Sequence, residues 1–213
     1  MQLRLRSQQG LSLVELLVSV AISLTVLAAA VALLTANTQL GAKQLQQDHL
    51  QATLFRIGST ISHELSRAGF CFDCTKVNPF FEIFIDDSPS QLVGSCIRFS
   101  YNHDKRQHAL VIGKDDAKGF RLGKNADGKA VIEIYENRKG LQNWHCNSKG
   151  GYAGYWQDMS LSNLTLEDFS FSRRLSTTDK GVISYFRLRI SAAMTENSAI
   201  KADLSMDIYP TNG

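Results

Sequence analysis

Residues 10–34 read GLSLVELLVSVAISLTVLAAAVALL, one apolar run with a single acid, Glu15, near its start. No further charge occurs until Lys43, which leaves about 27 uncharged residues, or roughly 40 Å of helix. A bilayer core of about 30 Å is shorter than that. Ahead of the run lies MQLRLRSQQG, a leader carrying Arg4 and Arg6 and no acid. Basic flanks stay on the cytoplasmic side, so the bulk of the chain is expected to face outward.

Glu15 is the unusual residue. A carboxylate at the edge of a membrane span is costly unless it is paired or snorkels to the interface. A plainer reading makes it a helix-entry acid favoured by the helix dipole. The spacing decides between them. Gly10, then Leu11, Ser12, Leu13 and Val14, then Glu15 and an apolar helix closely resembles the class III signal of type IV prepilins and type II secretion pseudopilins. In that family a membrane aspartyl peptidase cuts after the glycine and methylates the new amino terminus. The resemblance implies cleavage between Gly10 and Leu11, N-methylation of Leu11, and Glu15 as the fifth residue of the mature chain. It also implies a role for Glu15 in subunit recruitment, by pairing with the N-terminal amine of a neighbouring subunit in apolar surroundings that strengthen the attraction. Leu11 departs from the Phe or Met that begins most members, but the amine and not the side chain makes that pair.

Two other processing routes fit less well. A secretory signal needs an apolar core of only about 7–15 residues before a small-residue cut site, and this run is longer, with Glu15 inside it. A simple anchor explains the length and leaves the glycine-to-acid spacing unexplained.

The chain has 213 residues and a net charge of +3 spread without blocks, too diffuse to suggest a nucleic-acid partner. Removing leader and span leaves enough polypeptide for one domain with a real core. All four cysteines, Cys71, Cys74, Cys96 and Cys146, follow the span on the outward side. An even number in an oxidising compartment suggests two disulfides with three pairings open; Cys71–Cys74 with Cys96–Cys146 is the favoured one.

Past Leu34 the sequence becomes polar yet stays helical in pattern. Leu50, Leu54, Ile57, Ile61 and Leu65 recur at three- and four-residue steps, opposite Gln51, Thr53, Arg56, Ser59 and Glu64. One helix is therefore predicted from Leu11 to Ala68, roughly 85 Å long, with Gly41 and Gly58 as points of local weakness and Arg67 and Gly69 marking its end. The stripe is read as packing on the chain's own strands rather than as a coiled-coil seam. From there the period changes to two. Strands are predicted over Leu92–Tyr101, around Phe120–Leu122 and over Ala130–Tyr135, joined by a turn at Asp127-Gly128. Leu164–Arg173 carries a phase slip that suggests a bulge, because Leu164 and Leu166 share one face and Phe169 and Phe171 the other. Val182–Ala192 and Ile200–Ile208 alternate cleanly. Helix first and strands afterwards predicts an α+β fold, a long helix packed on an antiparallel sheet with one wet face. The expected organisation is a leader over 1–10, the membrane or filament-core half of the helix over 11–36, its amphipathic half over 37–68, and a β-rich globular domain over 69–213. The irregular stretch 137–159, with Trp144, Tyr152, Tyr155 and Trp156, is either a binding loop or a loop stapled by Cys146.

No residue set argues for catalysis, and neither cofactor nor metal is expected. Cys71-Phe72-Asp73-Cys74 lacks the βαβ setting of a redox motif. A zinc site drawing on Cys96 and Cys146, or on His145, is less expected than disulfides where oxidation competes. His63, Glu64, His103 and His108 form no recognisable array. Asp86-Asp87 and Asp115-Asp116 read as solvated turns rather than calcium ligands, and the Asn163 sequon carries no weight.

Within the prepilin-like family the anatomy best resembles the J-type minor pseudopilins and the minor pilins known as prepilin-peptidase-dependent protein B. The helix ends R-A-G-F-C with a second cysteine close behind; a strand S-C-I-R-F, a strand G-F-R-L leading to an N-A-D-G turn, and two long alternating strands follow. The resemblance implies a type IV pilin-like fold and a non-catalytic minor pilin that primes pilus assembly within a tip complex. Its partners would be the prepilin peptidase, other minor pilins, the major pilin and the inner membrane, with the globular domain in the periplasm before entry into the filament. Two alternatives remain: a J-type minor pseudopilin of type II secretion, and a membrane-tethered binding protein for DNA or a surface ligand. Neighbouring genes would separate the first two.

Overall fold

The computed structural model describes residues 12–74, 77–135, 141–148, 155–178 and 181–212. It forms two compact units, Met1–Leu45 and Gln46–Gly213. The helix α1, Leu13–Ser66, contributes to both and is continuous through Gly41 and Gly58. The fold is α+β: this long N-terminal helix packs, through its second half, on antiparallel sheets.

In the first unit the side chains of α1 are exposed throughout, including Leu13, Leu17, Ile22, Leu27 and Leu34. The helix starts at a reciprocal contact. Ser12 precedes its first residue, and the Ser12 N–H donates to Glu15 Oε2 at 3.0 Å while Leu16 N–H donates to Ser12 O at 3.2 Å. This is the carboxylate half of a capping box, which satisfies one donor that a helix start leaves unbonded.

Among the described residues of the second unit, nine strands build two sheets. The first has the order β1-β3-β4-β5-β6, with β1 Phe84–Ile85, β3 Cys96–Ser100, β4 Ala117–Lys124, β5 Ala130–Tyr135 and β6 Trp156–Asp158. The second has the order β2-β7-β8-β9, with β2 Val93–Gly94, β7 Leu164–Thr178, β8 Gly181–Met194 and β9 Lys201–Ile208. All pairings are antiparallel. One core joins the helix to both sheets: Leu50, Leu54, Ile57, Ile61 and Leu65 bury with Ile97, Phe99 and Phe120 from the first and Phe171, Leu188 and Ile190 from the second.

The single strand predicted over Leu92–Tyr101 is two strands in different sheets. Val93 and Gly94 pair with β7, and from Cys96 onward the chain pairs with β4. A side chain at Gly94 would overlap the Asp86 carboxyl group and Ile85, so glycine permits the close crossing between sheets. The bulge in β7 lies where the phase slips: Leu166 pairs with Ala192 and Asp168 with Ser191, which leaves Glu167 extra and returns Phe169 and Phe171 to the core face. The connection between β4 and β5 is the five residues Asn125–Lys129, with Asp127-Gly128 inside it. Asn125 Oδ1 accepts from the N–H groups of Asp127 and Lys129, and Gly128 takes φ +75°. The helix end falls at Ser66, two residues before the expected Ala68. There Gly69 adopts φ +77° and the Thr211 N–H donates to Ser66 O at 3.0 Å.

Gly58 is a packing position. A Cβ there would lie 2.9 Å from Met206 Sδ and overlap the tip of Leu204, so the missing side chain lets α1 settle on β9.

Candidate functional site

Two places carry polar chemistry that the fold has arranged. At the first, Glu15 sits in the first turn of α1 beside Ser12, on a helix whose flanking leucines and valines are exposed. Gly10 and Leu11, the expected cleavage and methylation positions, lie outside the described residues. The helix is long and apolar enough to cross a membrane.

The second place is the outer face of the first sheet, expected to be wet and found covered. Strand alternation puts Cys96 and Arg98 of β3, Gly119 and Arg121 of β4, and Glu133 and Tyr135 of β5 on this side. Residues 141–148 lie over it. Disulfides join Cys96 to Cys146 and Cys71 to Cys74, so no thiolate remains to ligate zinc. Trp144 and Trp156 are buried here, which makes the described part of the 137–159 stretch a stapled cover; Tyr152 lies outside the described residues. Trp144 Nε1 donates to Lys118 O at 2.9 Å and Trp156 Nε1 to His145 O at 3.2 Å, which satisfies both indoles. Gly119 makes room for Trp156, whose ring edge would lie 3.0 Å from a Cβ at that position.

Two buried arginines hold the cover down. Arg121 Nε donates to Glu133 Oε2 at 2.6 Å, its Nη1 donates to the carbonyls of Cys146 (2.7 Å) and Ser148 (2.5 Å), and its guanidinium lies 4.4 Å from the Trp156 ring. Arg98 is clasped between the rings of Phe84 and Trp144, at 4.8 and 4.9 Å, with Asp87 Oδ1 2.5 Å from its Nε. Burial pulls the Arg98 pKa below the ordinary arginine value, against the opposing pull of Asp87. Asp87 also accepts from the Cys146 N–H, and Asp86 accepts from the Cys96 N–H at 3.1 Å.

Asp86 and Asp87 lie in a turn as expected, Asp86 exposed and Asp87 partly so, and there, both with positive φ, they accept from the N–H groups at the two ends of one disulfide. Asp116, unlike its exposed neighbour Asp115, is 1% exposed. It pairs with Arg106 and accepts from the N–H groups of His103 (2.9 Å) and Gly113 (2.6 Å), fixing the 102–116 loop. Burial forces carboxylates to collect such partners.

The histidines stay apart: His63 lies by Glu64, His108 by Asp73 and His145 by Asp87, all more than half exposed. Glu64 accepts from the Tyr101 hydroxyl at 2.6 Å under the Arg67 guanidinium, and burial with that bond pushes the Tyr101 hydroxyl well above its usual range. Sequence reasoning missed Arg98, Arg121 and Glu133; the signal available was charge at alternate positions of strands otherwise rich in apolar residues.

Residues 5–31 match the prokaryotic N-terminal methylation motif, which places the chain in the class of type IV prepilin-like proteins. Residues 43–210 match the family model of prepilin peptidase-dependent protein B, and the chain belongs to that family. Searches of curated proteins and of solved structures gave no significant match.

Proposed function

We propose that this chain is a minor type IV pilin, a non-catalytic structural subunit that primes pilus assembly within a complex of minor pilins at the filament tip. The observation that carries the reading is the position of Glu15: one carboxylate at the start of an exposed apolar helix, inside a matched N-terminal methylation motif. On this reading the prepilin peptidase cuts between Gly10 and Leu11 and methylates Leu11. The helix holds the subunit in the inner membrane with its globular domain in the periplasm. Glu15 then pairs with the N-terminal amine of a neighbouring pilin, and the exposed leucines and valines exchange lipid for the apolar helices of the filament.

The buried faces of the second unit support a structural role, since its charged clusters hold loops in place. The test is the N-terminus of the protein recovered from sheared filaments, together with the piliation of a Glu15→Ala strain. A mature chain starting at N-methylated Leu11 and a strong loss of filaments are expected. An intact leader in filament material, or normal piliation by the variant, would refute the proposal.

A further inference from the structure

The hairpin β7–β8 outruns its neighbours. Strand pairing with β2 ends at Val93–Ser172, with one further bond from the Arg173 N–H to Leu92 O at 2.7 Å, and pairing with β9 ends at Ile208–Phe186; beyond those points, among the described residues, β7 and β8 pair with each other. On the core side, the positions that follow Phe171 along β7 are Arg173 and Leu175, and the one before Phe186 on β8 is Ser184. This overhang and the segment around residues 81–89 enclose a cavity of about 270 Å³, lined among others by Phe81, Glu82, Ile83, Arg173, Ser184 and Phe186.

Arg173, only partly buried, differs from the buried arginines. Arg98 has Asp87 and Arg121 has Glu133, whereas no carboxylate among the described residues lies within 4.0 Å of Arg173. Its Nη1 donates to Pro89 O and its Nη2 to Ile83 O, both at 2.5 Å, and the guanidinium lies 5.3 Å from the Phe186 ring. Those bonds anchor the 81–89 segment, but they use only two of the five donors a guanidinium carries. Nε is buried without a hydrogen-bond partner among the described residues, and burial lowers the arginine's pKa. A partly buried cation with spare donors is the complement of a carboxylate.

The surroundings narrow the ligand. Phe81 of the cavity lining is 58% exposed, and Leu175, two residues beyond Arg173 on the same face of β7, is 69% exposed. Glu82, exposed in the cavity lining, repels a dense polyanion more strongly than a singly charged group. We propose that this groove docks another protein through one Asp or Glu side chain flanked by apolar residues, its carboxylate pairing with Arg173 and its flanks covering Phe81 and Leu175. The docking is independent of Glu15 and of assembly through the helix.

The full-length protein in lipid nanodiscs, titrated with fluorescent acetyl-Leu-Glu-Phe-amide and its Gln counterpart, tests this by anisotropy. The Glu peptide should bind at least tenfold more tightly, and Arg173→Met should erase the difference. Because Arg173 also anchors backbone, Ser184→Tyr provides a second variant: it fills the cavity from an exposed position and should abolish binding with Arg173 intact. Equal affinity for both peptides, or displacement by inorganic phosphate at equal concentration, overturns the proposal. A benzoylphenylalanine at position 81 in cells should crosslink to an acidic-apolar segment of another polypeptide; crosslinks confined to a second copy of this chain would overturn it as well.

Discussion

Glu133→Gln should be among the most damaging single-atom changes in the globular unit. The substitution keeps shape and one acceptor while removing the charge facing Arg121, and both side chains are under 10% exposed. Breaking a buried pair from one side typically costs about 3–5 kcal/mol, because the surviving ion stays out of water. Two carbonyls and the Trp156 ring still stabilise the guanidinium, which argues for the lower end, about 3 kcal/mol. For a unit of this size each kcal/mol moves Tm by about 2–4 °C, so a drop of roughly 6–12 °C is expected. Thermal unfolding of the oxidised soluble part, followed by tryptophan fluorescence, measures it. The companion Arg121→Met/Glu133→Leu should regain only part of the loss, since it removes the unpaired charge but also the donor that serves the Cys146 and Ser148 carbonyls. A drop under about 2 °C, or a double variant no more stable than the single, would refute the claim that charge neutralisation holds the cover on the sheet.

Three further outcomes follow from the same structure. The Cys96–Cys146 bond closes a separation of 50 residues and Cys71–Cys74 one of 3; loop-entropy scaling gives about 4 against about 2 kcal/mol, so Cys96→Ser/Cys146→Ser should lower the urea midpoint roughly twice as far as the other double variant. Gly58→Val should destabilise by about 1–3 kcal/mol in the same assay, because its branches collide with Leu204 and Met206; a neutral result would mean that the helix stands off β9. Tyr135 has its hydroxyl pushed up to about 12, chiefly by burial. Between about pH 10 and 12 the unfolded chain has released that proton and the folded chain has not, so stability should fall across that window as pH rises, and Tyr135→Phe should flatten the slope in denaturation curves.

How far the sequence could be read depends on whether the cause of each feature is local. The stripe from Leu50 to Leu65 has helical period and is buried at every step. The bulge at Glu167 was legible because Leu164 and Leu166 fall out of phase with Phe169 and Phe171 within one strand. The change of sheet at Gly94 was not legible, since alternation continues across Leu92–Tyr101; the cause is the approach of Asp86, a contact made by folding. The same holds for the covered outer face. Arg98 and Arg121 look like solvent-facing residues of a one-sided sheet until residues 141–148, which carry no periodicity, are laid over them by the Cys96–Cys146 bond. Asp116 reads as a turn residue for the same reason, its partners Arg106 and Gly113 meeting it only once the loop closes.

At the other end of the chain Glu15 has two duties that its substitutions can separate. Its carboxylate accepts the Ser12 N–H and so caps α1, a contribution of about 1 kcal/mol that a glutamine largely retains, because either side chain completes a capping box. Its charge is what a neighbouring amine would recognise, and a carboxylate has about four acceptor sites, so such a pair adds to the cap without displacing it. Glu15→Gln therefore keeps the helix start and removes only the charge, whereas Glu15→Ala removes both. If filament entry rests on charge, the two variants should assemble equally poorly while the Gln protein keeps wild-type helicity in detergent. Should the Gln variant form filaments as well as the parent while the Ala variant fails, the acid would be a helix cap and its recruitment role would have to be abandoned.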